Sequence, residues 1–203
     1  MPRPRFHRLA AEKQAHILAV ATTEFAEHGF DGASYNRIIE KAGLSKGAMY
    51  YYFDDKTDLY GTVVQAAFQQ MMGVMQPREA DDAESFWAAF RDDYRDMARF
   101  ELANPEMLAL IRSLAEHPER MRQGPMAEMY QSLFAYTEAL IDRGQALGAV
   151  RTDLDRELLV SVAFAMGEAM DTWLLKRLDG LDDQGLERLT AELIELYRRL
   201  LSP

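Results

Sequence analysis

The chain has 203 residues, 48% apolar and 28% charged, which is the composition of an ordinary folded protein with one large domain or two small ones. It has no cysteine, so disulfides, thiolate zinc sites, iron–sulfur clusters and cysteine nucleophiles are excluded. The net charge of −10 is unevenly placed: residues 1–60 carry 8 basic and 8 acidic side chains, and residues 61–203 carry 15 and 25.

The acid therefore lies in the last two-thirds, and Arg3, Arg5 and Arg8 form a basic arm at the front. Such a division predicts two parts with different jobs. No apolar run approaches the roughly 18 residues that cross a bilayer, and the opening MPRPRFHRLAAEKQ lacks the hydrophobic stretch of a secretory signal. A soluble cytoplasmic protein is expected. The chain carries 28 Ala and 24 Leu against 7 Val and 6 Ile. Straight-chain residues lose little rotamer freedom in a helix, whereas β-branched ones are stiffened. With no alternating β-branched stretch, the expected fold class is all-α.

The first helix runs from Leu9 to His28 on Ile17, Leu18, Ala21 and Phe25, with Gly29 as its stop. Asp31-Gly32 marks a turn. Ser34 caps a short helix through Ile38 and Ile39 to Lys41, and Ser45 caps a second through Tyr51. The tight Ala42-Gly43-Leu44 connection makes this pair a helix-turn-helix outline. Asp54-Asp55 opens a helix through Leu59, Val63, Ala67 and Met71 to Pro77. Longer helices follow over 84–103, from Asn104-Pro105 to a break at His117-Pro118, from Pro125 to Leu147, from Arg156 to about 178, and from Asp182-Asp183 to Leu201. Asp153 or Asp155 caps the fourth of these. Loops are expected at 77–82, 116–124, 148–154 and 179–183.

Ser45, Lys46, Gly47 and Ala48 place a hydroxyl, an ammonium and two small side chains where backbone N–H groups and a positive dipole end suit a phosphate. Gly47 and Ala48 allow close approach to a groove wall, and Ala48 is suited to a thymine methyl. Tyr50 and Tyr51 offer hydroxyls to phosphates or base edges, and Lys56 is a further phosphate candidate. Three consecutive tyrosines cannot share one helix face, so Tyr52 and Phe53 are assigned to the core. The basic arm is expected to enter a minor groove or, without DNA, to be disordered.

The stretch Gly32 to Tyr60, densest at Ala42-Gly-Leu-Ser-Lys-Gly-Ala-Met-Tyr-Tyr-Tyr-Phe53 with Lys56, closely resembles the DNA-binding signature of TetR-like transcriptional regulators. The resemblance covers roughly residues 9–64. Beyond it the helices agree with that family in count, length and order. It implies that Ser34, Tyr35, Asn36 and Arg37, at the start of the second helix, lie over the DNA backbone and groove edge. Tyr35 stands where a small residue is common, Asn36 where Arg is common, and Tyr52 where His is usual. Asn36 has the amide that reads adenine bidentately.

Enzyme readings fare poorly. Gly43-Leu-Ser-Lys-Gly47 matches G-x-S-x-G, but that elbow needs a strand before its serine, and helix precedes it here. Lys46 precedes Gly47 and no Gly-Lys-Ser/Thr follows, so it is not a P-loop. The residues three before His7, His16, His28 and His117 are Pro4, Lys13, Phe25 and Leu114, not the Glu of a di-metal helical bundle. No cofactor, metal or catalytic residue is expected.

In the acidic part, Trp87, Phe90, Tyr94 and Met97 share a helix face. Met126, Met129, Tyr130, Leu133, Phe134 and Thr137 follow on another helix, and Phe164, Met166, Met170 and Trp173 on a third. Bulky, polarizable side chains suit a soft cavity for an apolar or aromatic ligand. Trp87, Phe90, Tyr94, Met97, Met126, Tyr130, Phe134, Met170 and Trp173 are the candidate lining, with ordinary core as the alternative reading. Leu186, Leu189, Leu193, Leu196 and Leu200, widened by Ile194, Tyr197 and Leu201, exceed the face one domain needs. The resemblance implies that the last two helices form a homodimer. Glu168 and Asp171 could ring that interface, pair across it, or face a ligand.

The expected organisation is a helix-turn-helix DNA-binding domain at 1–54, a connecting helix at 55–77 and an effector-binding and dimerisation domain at 78–203. Phe68, Met71, Met72 and Met75 on the connecting helix are candidates to sense the ligand. The expected function is a ligand-responsive repressor that binds a near-palindromic operator as a dimer and is released by a small, largely apolar molecule. The alternatives are an activator or ligand-independent regulator of the same fold, or an all-α interaction protein without DNA binding.

Overall fold

The computed structural model describes residues 2–74 and 78–203. Among them every α-helix except the single turn Pro118–Met121 begins where the caps and turn residues place it, within a few positions. The helices are α1 (Ala11–Gly32), α2 (Tyr35–Lys41), α3 (Lys46–Tyr52), α4 (Lys56–Val74), α5 (Ala83–Ala103), α6 (Pro105–Ala115), α7 (Pro118–Met121), α8 (Ala127–Ala146), α9 (Arg156–Leu175) and α10 (Asp183–Leu201). The described residues contain no strand. The all-α expectation holds.

Local chemistry accounts for the boundaries. The side chains of Ser34, Ser45, Asp155 and Asp182 each accept a backbone N–H three residues on, at 3.3, 3.1, 3.0 and 2.7 Å. Each satisfies one of the donors a helix start leaves open. Asp55 does the same for the Asp58 N–H at 2.9 Å, and the Asp58 carboxylate reaches back to the Asp54 N–H at 3.1 Å. Gly29 interrupts α1 at φ 62, and Gly43 turns the chain between α2 and α3 at φ 64. Side-chain-bearing residues rarely adopt that left-handed backbone. One expected loop holds more structure than foreseen: 116–124 contains the single turn α7, begun by Pro118.

The chain divides into two compact units that interleave in sequence. Residues 1–70 and 104–130 form the first, and residues 71–103 and 131–203 the second. The partition thus differs from the expected one at 54 and 77, because α6, α7 and the start of α8 pack with the head. Helix α4 belongs to both units.

The first unit has one core. Ile17, Ala21 and Phe25 of α1 meet Ile38 and Ile39 of α2, Met49 and Phe53 around α3, and Leu59, Tyr60, Val63 and Val64 of α4. Leu110, Leu114, Met126 and Met129 complete it. Phe53 has no exposed surface and Tyr52 packs against the cluster, as expected. In the second unit, Phe86, Trp87, Tyr94 and Ala98 of α5 are buried with Leu159, Val160, Ala163, Met170 and Leu174 of α9. Leu186, Leu193, Ile194, Tyr197 and Leu201 bring α10 into the same interior.

Helix α9 meets the length and composition of a membrane span without forming a continuous apolar run. It is long and apolar enough to cross a membrane, with a mean hydropathy of 1.4 over a window that is 33% buried. Its apolar residues are spread among small ones instead of standing in one run, and Glu168 and Asp171 fall within it.

Candidate functional site

Helix α3 is a thin plate with two unlike faces. Met49 is fully buried and Phe53 follows as its C-cap, so the inner side is fixed. A seven-residue helix has little stability of its own, and this anchoring holds it. The outer side carries exposed Lys46 and Gly47, with Tyr50 at 49% and Tyr51 at 47% exposure. Ala48 is half-buried, and its N–H is taken by the Ser45 hydroxyl. An ammonium and two phenols thus stand clear of the core side by side.

Helix α2 flanks this face. Asn36 is exposed. The Tyr35 ring meets the Tyr50 ring edge-on, with centroids 5.4 Å apart. The Tyr35 hydroxyl is buried and has no hydrogen-bond partner among the described residues. Burial, with smaller contributions from Tyr50, Asp55, Asp58 and Asp54, pushes that phenol well above its usual range, so it stays protonated. Ser34 donates its N–H to Glu24 at 2.8 Å, and Arg37 donates its Nε–H to the same carboxylate at 2.8 Å. Burial pushes the Glu24 carboxyl up, but Arg37, the Ser34 N–H and His28 together hold it below its usual value.

Lys56 stands apart from the others. Its Nζ donates to the carbonyls of Phe30 at 2.7 Å and Ala33 at 3.1 Å, with Asp31 at 3.4 Å, and lies 4.6 Å over the Phe30 ring. The carbonyls left open at the end of α1 use all three of its protons. Its position is a strut inside the head, not an ammonium held out for phosphate.

The N-terminal arm corrects the expectation of disorder. Arg3 donates its backbone N–H to the Tyr52 carbonyl at 2.9 Å, and its side chain pairs with Asp54. Phe6, only 2% exposed, lies 4.8 Å from the Phe53 ring and 6.4 Å from that of Tyr52. Arg5 lies over the Tyr51 ring at 4.1 Å. Sequence reasoning missed Phe6 and Glu24. For Glu24 a signal existed, because it sits on the apolar face of α1 between Ala21 and Phe25.

The candidate ligand residues are only partly brought together. In the second unit Trp87 and Phe90 lie 6.2 Å apart, Phe90 and Tyr197 5.3 Å, and Phe134 and Phe164 5.2 Å. Tyr94 donates its hydroxyl to Asp171 at 2.5 Å. Burial drives the Asp171 carboxyl up to about 6 against the lowering effect of that bond, and Glu168 adds to the rise. Met170 is buried, and Met97 is half-buried. Three residues fall elsewhere. Met126 belongs to the core of the first unit, and Tyr130, also in that unit, has Arg122 5.3 Å from its ring centroid. Trp173 is 38% exposed, with Arg177 over its ring at 3.9 Å. Of the candidate sensors on α4, Phe68, Met71 and Met72 are half-buried, and Met75 lies outside the described residues.

Comparison with known proteins points the same way. Residues 17–63 match the family described as bacterial regulatory proteins, tetR family. The chain is 27% identical over 194 residues to the HTH-type transcriptional repressor SCO4008 of Streptomyces coelicolor, covering 93% of this chain and 94% of that one. A TetR family transcriptional regulator from Chloroflexus aurantiacus superposes with a TM-score of 0.66 at 25% identity, over 100% of this chain and 99% of that one. The fold also matches FadR from Bacillus subtilis, solved in complex with stearoyl-CoA, with a TM-score of 0.69 at 16% identity over 90% of this chain and 96% of that one. These relatives are regulators rather than enzymes. The matched segment spans α1 to α4, where the exposed α3 face and its buried footing lie, and the likeness of fold extends over both units: residues 17–63 match the tetR-family helix-turn-helix, and the chain as a whole is similar to transcriptional regulators of that family.

Proposed function

We propose that the chain is a homodimeric cytoplasmic repressor that reads a near-palindromic operator through α3 and is released by a small, largely apolar molecule. The observation that carries the reading is the exposed group of Lys46, Gly47, Tyr50 and Tyr51 over a fully buried Met49. An exposed ammonium gives phosphate affinity, and glycine lets the backbone approach a groove edge. Asn36 supplies base-edge chemistry beside it, and Ser34, Tyr35, Arg37, Ser45 and Ala48 set the register of the two helices. Lys56 acts by holding the end of α1.

Dimerisation rests on an exposed apolar surface. Leu158, Val162 and Trp173 of α9 and Leu196 and Leu200 of α10 are 38–54% exposed. The α10 stripe is split: Leu186, Leu193, Ile194, Tyr197 and Leu201 turn inward, leaving Leu196 and Leu200 for a second copy. Two-fold symmetry also suits a helix-turn-helix reader, whose half-sites lie roughly 34–36 Å apart.

Effector response rests on the second unit. The buried Tyr94–Asp171 bond sits in an interior that also holds Trp87, Phe90 and Met170. A polar pair in aromatic surroundings gives an apolar ligand both area and orientation. Release needs differential binding: about 10⁴-fold tighter association with the non-binding state moves a 99:1 population to 1:99. Helix α4, shared by the two units, is the covalent path for that coupling.

The test is fluorescence anisotropy with a labelled duplex selected by the protein from random-sequence DNA, and a scrambled duplex as control. Preferential binding that small apolar compounds reverse supports the reading. Equal binding to both duplexes counts against it.

A further inference from the structure

Residues 2–60 have few cations available to a polyanion. Arg3 pairs with Asp54, Arg37 and Lys41 with Glu24, and the Lys56 ammonium is taken by carbonyls. Arg5, Arg8, Lys13 and Lys46 have no acidic partner among the described residues. With equal numbers of acidic and basic side chains over residues 1–60, affinity for DNA has to come from where these four stand.

Arg5 stands on the α3 face. Its guanidinium carbon is 4.1 Å from the centroid of the Tyr51 ring, and both residues are exposed. The placement is fixed from both sides. Before it, the Arg3 N–H closes on the Tyr52 carbonyl, the carbonyl that ends α3. After it, Phe6 is buried against Phe53 and begins a single 3-10 turn, Phe6–Arg8. Arg3 also covers the Asp54 carboxylate next to that face, removing a charge that would repel phosphate.

From this geometry we propose that the docked arm is part of the DNA contact, with Arg5 stacked on Tyr51 as a preformed phosphate-binding group beside Lys46. This rests on the reading of α3 as the DNA-facing helix. A guanidinium lying over an aromatic ring keeps its in-plane N–H fork free for two phosphate oxygens. Stacking also removes much of the rotamer freedom that a free arginine would lose on binding. Arg8, two residues beyond the locking Phe6 and in no ring contact, is no part of the group.

The test is the salt dependence of DNA binding by full-length wild type, Arg5→Ala and Arg8→Ala, on a fluorescent duplex selected by the wild type and on its scrambled control. Both substituted side chains are exposed, and a thermal melt checks that each variant folds. One lost phosphate contact lowers the slope of log K against log [salt] by about 0.9 per subunit. The proposal expects that loss for Arg5→Ala, on both duplexes alike, and no change for Arg8→Ala. An unchanged slope for Arg5→Ala overturns the proposal and leaves α3 as the reader. Equal losses for the two variants also overturn it, since diffuse arm charge would then be enough. Absence of wild-type preference for the selected duplex overturns both this inference and the reading on which it rests.

Discussion

Nε of Arg37 lies 2.8 Å from Oε1 of Glu24, a carboxylate with no exposed surface. The same oxygen accepts the Ser34 N–H at 2.8 Å, so one buried charge ties the start of α2 to the middle of α1. The orientation of the flanking helix beside α3 therefore depends on a residue buried within the head.

Glu24→Ala is expected to destabilise the head by about 2–3 kcal/mol, because it leaves the Ser34 N–H without its acceptor and a void under α2. The pH dependence has a definite sign. The folded carboxyl titrates below its ordinary value of 4.5, so its contribution is complete above that value and is lost as the pH falls through the folded one. Urea melts of wild type and Glu24→Gln should converge as the solution is acidified below the usual glutamate range.

Lys56→Met keeps the aliphatic stem and removes the ammonium. Losing a charged donor to the Phe30 and Ala33 carbonyls should cost about 1–3 kcal/mol. The salt slope of DNA binding at a temperature where the variant is folded should stay at the wild-type value. A slope reduced by about one per subunit would instead restore Lys56 as a phosphate contact.

Leu196→Glu with Leu200→Glu places two charges on the outward face of α10 and leaves the buried Leu193, Ile194 and Tyr197 untouched. Each leucine is worth about 1.5–3 kcal/mol on full burial, so the dimer dissociation constant should rise at least ~100-fold. Sedimentation equilibrium reads this directly, and circular dichroism should show unchanged helix content.

Asp171→Asn probes the buried pair in the second unit. The wild-type carboxyl is pushed up from 3.8 to about 6, so the folded state holds its proton more tightly than the unfolded state does. That residue's contribution to stability thus falls as the pH rises from about 4 to about 6. Asparagine still accepts the Tyr94 hydroxyl and carries no charge. Relative to wild type, the variant should gain stability across that window, by up to about 3 kcal/mol at neutral pH. Paired urea melts at pH 4.5 and 7.5 give the comparison.

What could be read from the sequence was local. Ser34, Ser45, Asp155 and Asp182 act within three residues of themselves, and Gly29 and Gly43 act on their own backbone, so the helix boundaries were legible. The exposed α3 face was legible too, because a short helix with Met49 and Phe53 inward leaves its other residues outward. Long-range partners were not. Lys56 meets carbonyls some 25 residues earlier in the chain, and nothing near it in sequence distinguishes a strut from a phosphate ligand. Met126 has the same helical spacing whether it faces a cavity or the core of the first unit. Phe6 among three arginines reads as part of a loose arm until the α3–α4 junction supplies the surface that buries it.

The central claim is that the α3 face recognises DNA, and Lys46→Ala with Tyr50→Ala tests it most directly. Wild type and the double variant would be titrated against the selected and scrambled duplexes by fluorescence anisotropy, with sedimentation run in parallel. The account predicts preferential binding by wild type, loss of that preference in the variant, and an unchanged dimer, since both side chains are exposed and remote in sequence from α9 and α10. Retention of full, sequence-selective binding by the variant would contradict it.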